Sequence, residues 1–344
     1  MSTATRPPFL GGVRRWLGRS DSTVYLLLIV IFAAIFYINP SFANPPQLMA
    51  FVKIAAPIAI LAIGQYAVIV SGELDLSVGS LVGAQVVIAA RLINGVEENT
   101  WWVLAVMIAF GLMVGLVNGV ITTVLNVPSI ITTLGTMLAL YGAIRMWTGG
   151  APTGALSEVF RAPGRGGIRD IPLLNEIPWA LLILIVVAAG AAWVMRRPFG
   201  RKLIAVGDND TAAAFAGVSV TRTRIMAFVI SALLATLAGI LIGGFAGVTA
   251  QVGEGLEFEA ITAVVLGGVV LGGGRGALGG AVAGAFTLQA LFTLFNQLQL
   301  PLTIRPAAQG VIIIAAVAYA GFKTSRQKSP PSENPTTEPV HEPT

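Results

Sequence analysis

Long apolar runs alternate with short polar connections along most of the chain. We predict ten spans, at residues 24–38, 48–70, 76–93, 101–125, 130–148, 178–195, 224–247, 256–271, 276–295 and 304–322. Several of these runs reach the roughly 18–20 apolar residues that a helix needs to cross a hydrocarbon core. The pattern therefore predicts an all-α, polytopic membrane protein with about ten transmembrane helices.

The composition agrees with a membrane protein and excludes several classes of site. The chain is 55% hydrophobic and only 11% charged, whereas soluble domains carry about 25% charged residues. It has no cysteine, and its single histidine, His341, lies in a polar tail. We therefore predict no catalytic residues, no metal site and no enzyme activity. The net charge of +5 comes from basic residues between the apolar runs, which is typical of cytoplasmic loops and not of a nucleic-acid site.

Three parts are expected along the chain. Residues 1–23 form a basic N-terminal segment, residues 24–322 form the transmembrane domain, and residues 323–344 form a tail rich in Pro, Ser, Thr and Glu. We predict that this tail is disordered. Basic residues precede the first span, follow the tenth, and fill the connection at 196–224. An even number of spans places all three on one side, so both termini are predicted to be cytoplasmic.

The loop at 149–177 is discordant, because it carries Arg161, Arg165 and Arg169 and would lie outside. Spans two to five and spans seven to ten enter from opposite sides, which predicts an inverted repeat. The strings GELDLSVGS (72–80) and GEGLEFEAIT (253–262) are a weak echo between the two blocks.

The chain contains no phosphate-binding loop of its own. The string GRGALG at 274–279 matches a dinucleotide fingerprint, but both flanks are transmembrane in composition and no acidic residue follows at the required distance. Gly276, Gly280 and Gly284, like Gly111, Gly115 and Gly119, instead predict helix faces that neighbouring backbones approach closely. If ATP drives this protein, another subunit binds the ATP.

The connection between the sixth and seventh spans contains a short helix signal. Asp208 or Asp210 can cap a helix over 211–216, and Gly217 can end it. A helix of this length is not stable alone, so it must dock against something. An ordinary structured loop and a helix presented to a partner both fit the pattern.

Polar residues within the spans are candidates for a translocation path. They are Gln65, Asn118, Thr132, Thr133 and Gln289. Each can line a pathway or simply bond a neighbouring helix, and the sequence leaves both open.

The string SGELDLSVGS at 71–80 places two carboxylates at the predicted cytoplasmic end of the second span. Gly72 can end that span, and Asp75 or Ser77 can accept the free amides that open the next helix. Glu73 has no assigned role, because it can face water or meet a basic loop such as the one around Arg201.

Four stretches together resemble one family. They are SGELDLSVGS (71–80), NVPSIITTLGTM (126–137), GRKLIAVGDNDTAAAFAGVSV (200–220) and GLEFEAITAVVLGGVVLGGGRGALGGAVAGA (255–285). In order and spacing they resemble the permease subunits of ribose-type bacterial ABC sugar importers, which belong to the branched-chain amino-acid/ribose permease superfamily. The resemblance covers roughly residues 24–322.

The resemblance implies a pair of permease chains, expected to be a homodimer, in the bacterial cytoplasmic membrane. It also implies ABC ATPase subunits that bind ATP and Mg, with no cofactor in this chain, and a periplasmic or lipid-anchored sugar-binding protein. Its ATPase-coupling helix corresponds to Asp208, Asn209, Asp210, Ala212, Ala213 and Gly217. Its structural landmarks correspond to Gly72, Asp75, Ser77, Gly79, Gly267, Gly268, Gly273 and Gly276.

Two departures from the family pattern leave the cargo open. The family often has Gly-Gly-Ile-Asp where this chain has Gly72-Glu73-Leu74-Asp75, and Asn-Glu where this chain has Asn209-Asp210. The resemblance predicts a monosaccharide as the cargo. An autoinducer, a nucleoside or a branched-chain amino acid are alternatives within the same class, and a stand-alone secondary transporter is the alternative outside it.

Overall fold

A computed structural model describes residues 22–151, 153–172, 174–249 and 251–327. Most of the predicted basic N-terminal segment and of the predicted disordered tail lies outside these residues. In the described part the helices are α1 Ser22–Ile38, α2 Pro45–Val70, α3 Val78–Ile93, α4 Asn99–Thr123, α5 Ser129–Thr148, α6 Glu158–Arg165, α7 Trp179–Arg196, α8 Pro198–Asp208, α9 Asp210–Phe215, α10 Val220–Ala246, α11 Leu256–Leu266, α12 Leu278–Gln297 and α13 Ile304–Gln327. The strands are β1 Gly167–Ile171 and β2 Asn175–Pro178.

The predicted class, an all-α polytopic membrane protein, is confirmed, because each of the ten predicted spans contains one helix. Six helices in the described residues, α2, α4, α5, α7, α10 and α12, are long and apolar enough to cross a membrane. The apolar parts of α1, α3 and α13 are shorter, and the 11 residues of α11 extend only about 16 Å. The predicted eighth span, 256–271, was therefore too long, and residues 267–277 form a folded loop before α12.

The centre of the bundle is built on α2 and α10. Helix α10 contacts α2, α3, α4 and α6, while α2 also contacts α7, α11 and α12. The largest cluster of buried apolar residues draws on both central helices. Hydrophobic burial does not drive helices together in lipid, so close backbone approach is what holds such a centre together.

Glycines make that approach where α4 crosses α10. A Cβ at Gly115 would lie 2.8 Å from the Val229 Cα atom, and a Cβ at Gly119 would lie 2.8 Å from the Ile225 Cα atom. The predicted packing face of α4 therefore meets α10. In the other predicted glycine series, Gly284 faces Ala263 of α11, and Gly280 faces Gly267 just after that helix. Gly276 precedes α12 and has a φ of +127°, so it belongs to the loop.

The loop at 149–177 is more ordered than the sequence predicts. Helix α6 packs against α10, and β1 pairs with β2 in an antiparallel hairpin. The hairpin is tied to α2 by an ion pair of 2.9 Å between Lys53 Nζ and Glu176 Oε1.

We predict that Gly115→Ala destabilises the bundle, because the added methyl group meets backbone that cannot move freely. Such overpacking costs about 1–3 kcal/mol and should lower the Tm of the detergent-purified protein. Gly190→Ala is the matched control, since a Cβ there would meet no neighbouring element within 4 Å in the described part of the chain, and alanine favours a helix by about 1 kcal/mol. Equal Tm values for the two variants would contradict the packing described here.

Candidate functional site

The chain leaves its helical path between α2 and α3, at residues 71–77, which we call the connector. Gly72 has a φ of +89°, and the amides of Gly72 and Glu73 return to carbonyls of the last turn of α2. Gly72 therefore ends α2, as predicted. Ser71, Asp75 and Ser77 are buried, so the polar groups of this segment need partners inside the protein.

Asp75 is the centre of the connector and is only 1% exposed. Its Oδ1 atom accepts from the Ser77 amide at 2.9 Å and from the Ser77 hydroxyl at 2.6 Å. Its Oδ2 atom accepts from the Ser231 hydroxyl of α10 at 3.1 Å. The prediction that Asp75 or Ser77 caps α3 is therefore wrong. Asp75 accepts hydrogen bonds from Ser77, the residue before α3, and the Ser77 side chain accepts from no amide of the helix.

Helices α4 and α5 complete the hydrogen bonds around the connector. Asn118 Nδ2 donates to the Ser77 hydroxyl at 2.8 Å, and Asn118 Oδ1 accepts from Thr136 at 2.6 Å. The amides of Leu74 and Leu76 donate to the hydroxyls of Ser129 and Thr133, at 3.2 and 3.0 Å. We call Asp75, Ser77, Asn118, Thr133, Thr136 and Ser231 the Asp75 cluster. Two predicted path residues, Asn118 and Thr133, belong to it.

The Asp75 cluster lies deeper in the bundle than the sequence predicts. Ser231 stands about 16 Å along α10 from its first residue, at a rise of 1.5 Å per residue. The cluster therefore lies inside the bundle and not at the end where α10 begins. Non-helical backbone at such depth occurs where protein groups surround it, and it often marks the site of a transporter.

A second short helix that follows non-helical backbone, α11, starts beside the first turn of α3. A Cβ at Gly79, in the first turn of α3, would touch Glu257 Oε2 and lie 2.5 Å from the Gly253 carbonyl. Only glycine allows the chain that leads into α11 to cross α3 so closely. Glu257 is 4% exposed and lies where helix N-termini favour a negative charge. The first turn of α3 and the start of α11 therefore lie side by side, and the inverted repeat stays a prediction.

The remaining predicted path residues are scattered. Gln65 is fully buried in α2, and its side-chain amide has no hydrogen-bond partner among the described residues, as is also true of the Thr132 hydroxyl. Gln289 of α12 donates to Glu259 Oε2 at 2.9 Å. These three do not join the Asp75 cluster in one hydrogen-bonded site. Four residues of the site were not predicted from the sequence: Thr136, Ser231, Glu257 and Glu259. For Glu257 and Glu259 the available signal was an acidic pair at the start of an apolar run.

Glycines also bring three segments together beside the connector. The Gly274 amide donates to the Val70 carbonyl at 2.9 Å, and a Cβ at Gly273 would lie 2.8 Å from the Gly72 Cα atom. Gly207, in α8, contacts both Val70 and Gly274. Of the landmark glycines in the loop at 267–277, Gly267 packs against Gly280 of α12, and Gly273 packs against Gly207 and the connector. Gly276 instead packs against Val269 within the loop, and Gly268 has a φ of +83°.

The short helix predicted over 211–216 is present as α9, with corrections to its ends, and its coupling role stays a prediction. Asn209 caps it by accepting from the Ala212 amide at 2.8 Å, so neither Asp208 nor Asp210 is the cap. Gly217 has a φ of +80° and follows the helix as predicted. Ala213 is buried, whereas Phe215 is 90% exposed. The surface of α9 therefore centres on Phe215 and not on Ala213.

These features define a class of protein, a polytopic membrane permease with helices interrupted inside the bundle. Residues 47–317 match a family model described as "Branched-chain amino acid transport system / permease component", and the chain belongs to this family. The resemblance drawn from the four sequence stretches is thereby confirmed, and the chain is a transport subunit.

Similar proteins cover nearly the whole chain. The autoinducer 2 import system permease protein LsrC of Enterobacter sp. is 33% identical over 307 residues, which are 89% of this chain and 88% of that protein. The proteins of the same name from Klebsiella pneumoniae and Escherichia coli K12 are each 32% identical over 306 residues, with 87% and 86% of their lengths covered. The two matches cover 89% and 88% of this chain, respectively. No solved structure matches the chain.

We predict that Asp75→Ala destabilises the protein more than Ser231→Ala does. The first change removes the acceptor for three hydrogen bonds, and the second removes one donor worth about 1 kcal/mol. Thermal unfolding in detergent should give the lowest Tm for Asp75→Ala and an intermediate value for Asp75→Asn, which keeps one oxygen for Ser77. A Tm for Asp75→Ala no lower than that for Ser231→Ala would contradict a central role for the carboxylate.

Proposed function

We propose that the chain is the membrane-spanning permease of an ATP-driven ABC importer, with ATP hydrolysis in a separate subunit. The observation that carries the proposal is that α9 is a short helix with an exposed aromatic side chain, Phe215. This helix has six residues, it depends on its neighbours for stability, and it leaves a large aromatic side chain in the open. Exposed aromatic residues on a rigid support are typical anchors of protein interfaces. An ATPase groove is the partner that the family resemblance implies.

The charge pattern supports a cytoplasmic position for α9 and both termini in the bacterial inner membrane. The end of the bundle where α7 stops and α10 starts carries Arg196, Arg197, Arg201, Lys202, Arg222 and Arg224, as the positive-inside rule expects of a cytoplasmic end. Two of the three arginines in the loop at 149–177 have partners within the protein. Arg165 pairs with Glu158 at 2.7 Å, and Arg161 donates to the Gly244 carbonyl. Long loops also obey the rule less strictly.

Two cargoes stand as candidates. The names of the similar proteins favour autoinducer 2, and the ribose-type motifs of the sequence favour a monosaccharide. The proposed complex contains two copies of the chain with the cargo passing between them, ABC ATPase subunits that bind ATP and Mg, and a periplasmic or lipid-anchored binding protein. The interrupted helices α3 and α11 are the elements whose movement would open one side or the other.

The test is reconstitution in proteoliposomes, with the binding protein outside and the ATPase on the α9 side. We expect uptake of labelled cargo only when the ATPase, ATP and Mg are all present. Parallel assays with autoinducer 2 and ribose identify the cargo. Uptake by the chain alone under an ion gradient would overturn the proposal in favour of a secondary transporter.

We predict that Phe215→Asp abolishes binding of the ATPase and ATP-dependent uptake, because it places a charge where an apolar anchor is needed. The matched control is Tyr37→Asp, since Tyr37 is equally exposed, at 89%, but lies at the end of α1 outside the coupling segment. Co-purification of the ATPase measures docking directly. Normal co-purification with Phe215→Asp would show that α9 is not the docking element.

A further inference from the structure

Arg224 links three parts of the chain at the start of α10. Its Nε atom lies 3.0 Å from Glu73 Oε1 and donates to the Ser71 carbonyl at 3.3 Å. Its Nη2 atom lies 3.3 Å from Asp210 Oδ2 in α9. One guanidinium therefore joins α9, α10 and the connector. It also answers the question that the sequence left open, because the partner of Glu73 is Arg224 and not the loop around Arg201.

The two ion pairs of Arg224 differ in burial. The side chains of Arg224 and Glu73 are 19% and 14% exposed, whereas that of Asp210 is 50% exposed. A partly buried pair is screened less by water and salt than an exposed one. Arg224 is therefore held more firmly to the connector than to α9. A partner that displaces α9 can weaken the Asp210 contact while the Glu73 contact persists.

The connector carries any movement of Glu73 to the centre of the bundle. Asp75 follows Glu73 by two residues, and its carboxylate holds Ser77, immediately before α3. Ser231, which also bonds Asp75, lies about 10 Å further along α10 than Arg224. The first turn of α3 in turn contacts Gly253 and Glu257 at the start of α11. A continuous set of contacts thus runs from α9 to the place where the interrupted helices meet.

We propose that the Glu73–Arg224 pair is the positioning element that couples movement of α9 to the start of α3. The inference rests on the proposed function, because it takes α9 as the segment that receives the ATPase. Neither residue needs to touch cargo or nucleotide. A change in α9 acts on Arg224, Arg224 acts on the connector through Glu73, and the connector moves the N-terminus of α3 through Asp75. The pair biases which of two arrangements the bundle adopts.

The experiment measures cargo uptake and ATP hydrolysis in the same proteoliposomes, with the candidate cargo that the wild-type chain takes up. We expect Glu73→Gln to lower the cargo moved per ATP hydrolysed about fivefold or more, the lower end of typical coupling between sites. Co-purification of the ATPase should be unchanged, because α9 keeps its exposed surface. A purely structural role for Glu73 would instead lower the Tm and the amount of folded protein without changing this ratio.

Two further variants test the pair itself. Arg224→Gln and the double variant Glu73→Gln/Arg224→Gln should have the same ratio as each other, because Glu73 has already lost Arg224 in the single variant and residues that act together are not additive. Asp210→Asn removes only the exposed contact and should fold normally, with a smaller fall in the ratio. It keeps the proposal testable if the more buried variants are poorly produced.

The matched control is Arg275→Gln. Arg275 and Asp208 form another ion pair near α9, at 3.9 Å with both side chains 63% exposed, and its loss should leave the ratio unchanged. An unchanged ratio in Glu73→Gln and Asp210→Asn, with an active wild-type chain, would overturn this inference alone. A wild-type chain without ATP-dependent uptake would overturn the proposed function, and this inference with it.

Discussion

A hydrocarbon core offers no water to backbone amides and carbonyls, so a chain that leaves its helix inside the membrane must satisfy them with its own groups. The connector meets this constraint almost residue by residue. Hydroxyls of α5 accept hydrogen bonds from the amides of Leu74 and Leu76, and the Asp75 carboxylate accepts one from the amide of Ser77. Arg224 donates to the Ser71 carbonyl. The interruption is therefore a built feature of the bundle, and the surrounding helices are placed by the hydrogen bonds that it requires.

The same constraint explains why glycines are concentrated around the two interruptions. Where backbone must pass backbone, a side chain would push the segments apart, and lipid gives no hydrophobic force to pull them together again. Gly79 and Gly83 allow the chain before α11 to cross α3, and Gly207 and Gly273 let α8 and the loop at 267–277 reach the connector. The polar contacts around Asp75 and the glycine contacts thus serve one arrangement. The polar contacts supply hydrogen bonds to the non-helical backbone, and the glycines let the neighbouring segments come close enough to form them.

The sequence predicted what depends on local pattern and missed what depends on contacts distant in the chain. Apolar runs located all ten helical segments, and Gly72 and Gly217 marked two ends correctly. The eighth span was predicted too long because residues 267–271 are as apolar as the helix before them. The close packing of Gly267 against Gly280 of α12 is not visible in that local pattern. Asn118 was recognised as a buried polar residue, but its partner Ser77 stands 41 positions away. The partner of Glu73, Arg224, is still further along the chain, at the start of the predicted span 224–247.

Burial decides which of the charged residues near α9 can carry a signal. An exposed pair such as Arg275–Asp208 exchanges readily with water, so moving one partner exerts little force on the other. Arg224 and Glu73 are mostly shielded, and Glu73 continues directly into a backbone segment in which the amides of Leu74, Leu76 and Ser77 are hydrogen-bonded. A shift of Arg224 therefore meets a stiff segment and not a loose loop. Because that segment ends at the first turn of α3, where α11 also begins, a small change at the surface acts on both interrupted helices at once.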